Sequence, residues 1–173
     1  LNNSSTNSTL KRNMNATARV AAERVEWEIT SYKNLAEDLG MTARLAKDEA
    51  SVEEKKAIID ERVKVNELVM GEILDSSGTG LFTGENCADA AYFQAAMQGQ
   101  SYVSEPIISE DQSSLEIRIA APLWEGGIHG TEVVGVIFLV PEETFLNDIM
   151  VAINVSANGS AYMLDSEGNV IAH

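Results

Sequence analysis

The sequence predicts an α+β domain, a long N-terminal helix joined to an antiparallel sheet flanked by helices. Three observations carry this. Apolar residues recur at the helical period over residues 10–50. Two strand-like segments, 115–122 and 132–140, succeed each other across a Gly-rich connection. Ahead of them, Tyr92 and Phe93 open a short amphipathic helix that ends at Gly99. Aromatics where a helix meets a sheet form a place to enclose a small molecule.

The elements follow in order. Residues 1–9 are polar and rich in Asn, Ser and Thr, the composition of a frayed segment. Met14, Ala18, Ala21, Val25, Ile29, Tyr32, Ala36, Leu39, Ala43, Ala46 and Ala50 recur at a mean spacing of 3.6 residues, the α-helical period. One helix over 10–50 would be ~60 Å long. It must lie along an elongated body or pair with a second copy. Gly40 is its weak point, about 1 kcal/mol worse than alanine in a helix interior. Trp27 on this helix reads as packing. Ser51 and Glu54 form a capping box that starts a second helix over 52–67.

Residues 70–75 and 79–83 read as a hairpin around Ser76-Ser77-Gly78. The aromatic helix comes next, with Gly99 as its C′ residue. Pro106 breaks the extended stretch 100–109 and belongs on an edge strand or at a bulge. Leu115, Ile117, Ile119 and Ala121 alternate with Glu116, Arg118, Ala120 and Pro122, the pattern of a half-buried strand. Residues 133–140 are almost wholly apolar and read as a central strand. Pro141 suits the first turn of a following helix, with Glu142 and Glu143 at its positive end. A last hairpin spans 161–165 and 169–173. It repeats the apolar-Leu-Asp-Ser-x-Gly pattern of the first.

Composition narrows the function classes. A net charge of −15 leaves no basic stripe for nucleic acid and opposes docking on anionic lipid. The single cysteine, Cys87, excludes an internal disulfide, and two histidines make a zinc site a poor expectation. Catalysis finds no Ser-His-Asp set, P-loop, HExxH or nucleophile elbow. The reading is a binding domain without a cofactor, not an enzyme.

The order of motifs adds a resemblance. Tyr92-Phe93-x-x-Ala96, Ser104-Glu105-Pro106, Ala121-Pro122, Gly135-Val136, Val140-Pro141-Glu142-Glu143-Thr144 and Gly159-Ser160-Ala161-Tyr162 follow the long helix in sequence. The chain resembles the extracellular double-Cache, PAS-like sensor module of bacterial methyl-accepting chemotaxis receptors, of the Firmicutes type. The resemblance implies an extracytoplasmic domain of a cell-membrane receptor, attached through spans absent from this chain and dimeric in the full receptor. It implies four parts: a flexible segment at 1–9, a stalk and second helix at 10–68, a membrane-distal PAS-like ligand-binding domain at 69–155, and the start of a membrane-proximal one at 156–173. Signal would pass from the distal pocket through the stalk helix. A histidine kinase or diguanylate cyclase sensor, or a structural module with a degenerate pocket, is the alternative.

The expected ligand-binding residues are Tyr92, Phe93, Tyr102, Ile107, Arg118, Trp124, Phe138 and Val140. Of the consecutive pair Tyr92 and Phe93, one should pack in the core and the other face the pocket. Arg118 either holds an anion in bidentate fashion or makes a surface ion pair with Glu116 or Glu105. Trp124 either caps the pocket or packs. Members of the family that bind amino acids carry an arginine, a tyrosine and an aspartate where this chain has Ala90, Ile107 and Val140. An ammonium or carboxylate left unpaired there would lose several kcal/mol by desolvation. The expected ligand is therefore a nucleobase or a small carboxylate rather than an α-amino acid.

Overall fold

The protein was analysed as a computed structural model, which describes residues 16–108, 115–142, 144, 145, 147, 162–164 and 170–172. The architecture is the expected α+β class, a long helix on one face of an antiparallel sheet. Helix α1 (Ala16–Gly40) is followed by the short α2 (Ala43–Ala46) and by α3 (Val52–Val65). The main sheet has the strand order β1-β6-β5-β2, formed by β1 (Leu68–Leu74), β6 (Val133–Pro141), β5 (Ile119–Trp124) and β2 (Tyr102–Val103). All of its neighbours are antiparallel. Helix α4 (Ala91–Met97) packs on β5 and β6. Strands β3 (Ile107–Ile108) and β4 (Leu115–Glu116) form a separate pair, as do β7 (Tyr162–Leu164) and β8 (Val170–Ala172). Among the described residues, no helix is long and apolar enough to cross a membrane.

The sheet divides the core in two. Val25, Ile29, Ala36 and Leu39 of α1 pack with Ile73, Ile119, Ala121, Leu123, Ile137 and Leu139. On the other face Tyr92, Phe93 and Ala96 of α4 pack with Leu74, Ala120, Val136, Phe138 and Val140. Residues alternate between the faces along each strand, so β5 and β6 serve both cores. This corrects the half-buried reading of 115–122: every residue of β5 is buried, because helices cover both of its faces.

The single 10–50 helix is also corrected. Helix α1 ends at Gly40, about 37 Å from its start at 1.5 Å per residue. A Cβ on Gly40 would stand 2.0 Å from the Pro122 carbonyl oxygen, so helix and sheet approach too closely here for any side chain. The chain then turns through Met41 and Thr42, whose hydroxyl donates to the Asp38 carbonyl at 3.1 Å. The apolar period ran on to Ala50 because Leu45 and Ala50 still face the core after the break. Trp27, read as packing, is 71% exposed.

Ser51 caps α3 as its sequence indicates, its hydroxyl accepting from the Glu54 N–H at 3.1 Å. The first hairpin differs from expectation. Asp75 accepts from the N–H groups of Ser77 and Thr79, which makes the turn. Beyond it there are only two isolated bridges, Leu74 with Gly80 and Thr79 with Asn86, in place of a strand over 79–83. The fully buried Glu72 carboxylate explains this. It accepts from the N–H groups of Phe82 and Thr83, which removes them from any ladder. Pro141 is the last residue of β6, opposite Leu68, and not part of a helix. Thr144, Phe145 and Asn147 are helical, as expected after 141; the rest of that segment lies outside the described residues. The final hairpin is present as β7 and β8, antiparallel.

Candidate functional site

The site is built on the α4 face of the sheet. Ala90 caps α4 in extended conformation, and Gly99, at φ +90°, closes it by donating to the Ala96 carbonyl at 2.9 Å. That positive φ is why glycine ends this helix. With both ends fixed, the seven-residue helix places Tyr92 and Phe93 in the same buried cluster. Both side chains are buried there. The short helix is enclosed on more than one side, by β5 and β6 below and by the loop ending at Cys87.

Arg118 dominates the chemistry. It immediately precedes β5, is 4% exposed, and belongs to no surface ion pair. Its Nε donates to Glu116 Oε1 at 3.0 Å and its Nη2 to the same oxygen at 2.8 Å. Glu85 is held in a fork, Nη1 to Oε1 at 3.1 Å and Nη2 to Oε2 at 3.2 Å. Nη1 also donates to the Tyr92 hydroxyl at 2.7 Å and lies 3.7 Å from Cys87 Sγ. The guanidinium carbon stands 4.6 Å from the centre of the Phe138 ring and 5.7 Å from that of Tyr92. Five N–H groups and a delocalised charge suit a buried arginine to this many partners. Of the two surface partners the sequence offered, Glu116 is one, and Glu105 is exposed. Glu85, 33 residues away in the chain, supplies the other carboxylate.

The electrostatics follow from burial and contact. Burial works against the Arg118 cation, but its hydrogen bonds with Glu85 and Glu116 outweigh that and hold it above the ordinary arginine value. Burial pushes the Tyr92 hydroxyl up, and its hydrogen bond with Cys87 adds to this. Burial likewise raises the Cys87 thiol, which disfavours its thiolate. Two carboxylates around one guanidinium leave a formal excess of one negative charge. Among the described residues, no group of three or more His, Cys, Asp and Glu is placed to hold a metal ion.

The eight expected residues do not all meet. Tyr92, Phe93, Phe138 and Val140 share one buried cluster, with Tyr102 and Ile107 half-buried against it. Arg118 joins them through Tyr92 and Phe138. Trp124 stands apart at the far end of β5. Its ring lies 4.8 Å from that of His129, and it lines a cleft of about 150 Å³ with Glu37, Met41, Gly99, Ser101 and Pro122. Glu85 and Glu72 were missed by sequence reasoning, whereas Glu116 was offered as a partner of Arg118. Glu116 had a local signal, two residues from Arg118. Glu85 and Glu72 had none: the folded loop over 75–87 brings Glu85 to Arg118, and the pairing of β1 with β6 sets Glu72 opposite Phe138.

No family model matches the sequence, and no curated protein matches it either. Solved structures do match. The ligand-binding domain of the Pseudomonas fluorescens chemoreceptor CtaA, in complex with L-serine, is 14% identical with a TM-score of 0.61, over 96% of this chain and 73% of that one. The sensory domain of a Campylobacter jejuni chemoreceptor with isoleucine bound is 14% identical with a TM-score of 0.64, over 96% and 71%. The sensor domain of the V. cholerae histidine kinase DctB is 16% identical with a TM-score of 0.55, over 90% and 62%. The expected preference for a nucleobase or small carboxylate over an amino acid is overturned by these structures, since the similar chemoreceptor domains hold serine and isoleucine. That preference weighed Arg118 as a holder of an anion but not Glu85, which joins Glu116 in bringing a second carboxylate to the same face. Over nearly its whole length, this chain shares the fold of chemoreceptor and histidine kinase sensor domains.

Proposed function

We propose that this chain is the extracytoplasmic small-molecule sensing domain of a chemotaxis-type membrane receptor, and that its ligand is an amino acid held on the α4 face of the sheet. The observation that supports this most is the likeness in fold, over 96% of the chain, to chemoreceptor domains holding serine and isoleucine. The site chemistry agrees with it. Arg118 offers a fork for a carboxylate, Glu85 and Glu116 offer oxygens for an ammonium group, and Tyr92, Phe93 and Phe138 offer apolar wall for a side chain. A signal path is available through the sheet. Strands β5 and β6 carry the site on one face and α1 on the other, so a shift of either strand moves α1, with Gly40 against Pro122 at their contact.

The test is a thermal-shift screen of the chain against the twenty common L-amino acids, γ-aminobutyrate, nucleobases and small organic acids, with calorimetry on each hit. A ligand at a hundred times its Kd stabilises by about 2.7 kcal/mol. That corresponds to a rise in Tm of about 5–10 °C for a domain of this size. A saturable shift with an amino acid, lost in Tyr92→Ala at constant fold, supports the proposal. A screen in which only nucleobases or organic acids shift the Tm, or in which no compound does, overturns it.

A further inference from the structure

The two carboxylates on Arg118 are not equivalent. Glu116 lies two residues away on the same segment, contacts Nε and Nη2 at 3.0 and 2.8 Å, and its side chain is 13% exposed. Glu85 comes from a loop, contacts Nη1 and Nη2 at 3.1 and 3.2 Å, and its side chain is 28% exposed. Gly84 beside it has φ +73° and open space where a side chain would be. Glu85 therefore holds the outer edge of the guanidinium in the two-oxygen geometry that a ligand carboxylate would use.

We propose that Glu85 is a resident stand-in for the ligand carboxylate, and that this restricts the ligand to a zwitterion. This rests on the proposed function above. An incoming carboxylate replaces Glu85 on Nη1 and Nη2, like for like, and Glu116 stays in place. The released Glu85 carboxylate then accepts the ligand's ammonium group. The exchange conserves charge: the site carries an excess of one negative charge before and after a zwitterion enters. A carboxylate without an ammonium group would leave three carboxylates around one guanidinium, an unpaired charge in a partly buried place. An amine without a carboxylate cannot displace Glu85 from the fork. Glu85 is tethered to the same chain, so it competes at high effective concentration with any ligand that does not re-pair it. The discrimination comes from a repulsive element built into the site itself.

The experiment uses calorimetry on the whole chain, with the twenty common L-amino acids, each beside its des-amino carboxylate and its decarboxylated amine. Isoleucine, for example, stands beside 3-methylvalerate and 2-methylbutylamine. In the wild type the des-amino carboxylate of the best amino acid binds at least about 100-fold more weakly than the amino acid. In Glu85→Gln, the amide no longer competes as an anion. The des-amino carboxylate then gains at least tenfold, and the ratio between the two ligands falls at least tenfold. Glu85→Ala gives the same ratio if Glu85→Gln does not fold. A wild type that binds an amino acid while both variants keep its ratio overturns this inference alone. A wild type that binds no amino acid overturns the proposed function and this inference with it.

Discussion

Arg118→Ala should cost the domain about 3–5 kcal/mol of stability, the penalty for breaking a buried ion pair from one side. The reason lies in what the substitution leaves behind. Glu116 is 13% exposed and Glu85 28% exposed, and both lose their cation. The Tyr92 hydroxyl loses its donor at 2.7 Å, and the Phe138 ring loses the guanidinium stacked 4.6 Å from its centre. For a domain of this length, each kcal/mol moves Tm by roughly 2–4 °C. The expected fall is therefore about 6–20 °C. Urea unfolding at neutral pH is the assay, with the slope m unchanged as the sign that both states keep their compactness. The double variant Arg118→Met with Glu116→Gln should recover at least about 1 kcal/mol of that loss, because it also removes the more buried of the two orphaned charges. A loss below about 1 kcal/mol for Arg118→Ala would refute the reasoning. That is the range of a solvated surface pair, and it would place Arg118 where the sequence alone first allowed it to be.

Gly40→Ala should destabilise by about 1–3 kcal/mol in thermal unfolding, since the new Cβ meets the Pro122 carbonyl oxygen 2.0 Å away. Helix propensity alone predicts a gain of about 1 kcal/mol, so the sign of the change decides between them. Glu72→Gln should cost about 1–3 kcal/mol by placing an amide N–H₂ against the Thr83 N–H, and it should loosen the loop that carries Glu85, read as faster amide exchange at Phe82 and Thr83. Unchanged exchange at both positions would remove Glu72 from this role. Tyr92→Phe should cost about 1 kcal/mol at neutral pH by losing the bond from Arg118. Burial raises the Tyr92 pKa above its ordinary 10.0, so the wild-type tyrosine contributes stability that is full below that value and lost as pH rises past it. The gap between wild type and variant should therefore narrow above pH 10.0, and a gap that stays constant through alkaline pH counts against the buried hydroxyl.

Much of the scaffold was legible from local pattern. The 3.6-residue period marked the face of α1, and Val25, Ile29, Ala36 and Leu39 are buried as it requires. Ser51 and Glu54 announced the start of α3, and Gly99 the end of α4. The apolar run at 133–140 is the central strand β6. Each of these signals is carried by residues within a few positions of one another. The errors came where a distant segment intervened. Gly40 was read as a propensity defect, and Pro122, 82 residues on, makes it a steric requirement. The 79–83 strand was read from composition, and the Glu72 carboxylate takes its N–H groups.

The site divides the same way. Tyr92, Phe93, Phe138 and Arg118 were named from the sequence, because aromatics and a lone cation on a strand pair are visible in one dimension. Which charges surround them was not. Three positions lacking the expected polar groups suggested a nucleobase or a small carboxylate in place of an amino acid, but Glu85 reaches Arg118 across 33 residues and a folded loop. Sequence by itself determined the class of fold, the buried face of α1, the start of α3 and the end of α4, since periodicity, caps and turns depend on neighbours along the chain. Only the tertiary structure decided where the charges meet and where the long helix must stop. Electrostatic pairing and steric contact act through space, over a few ångströms that the sequence does not record.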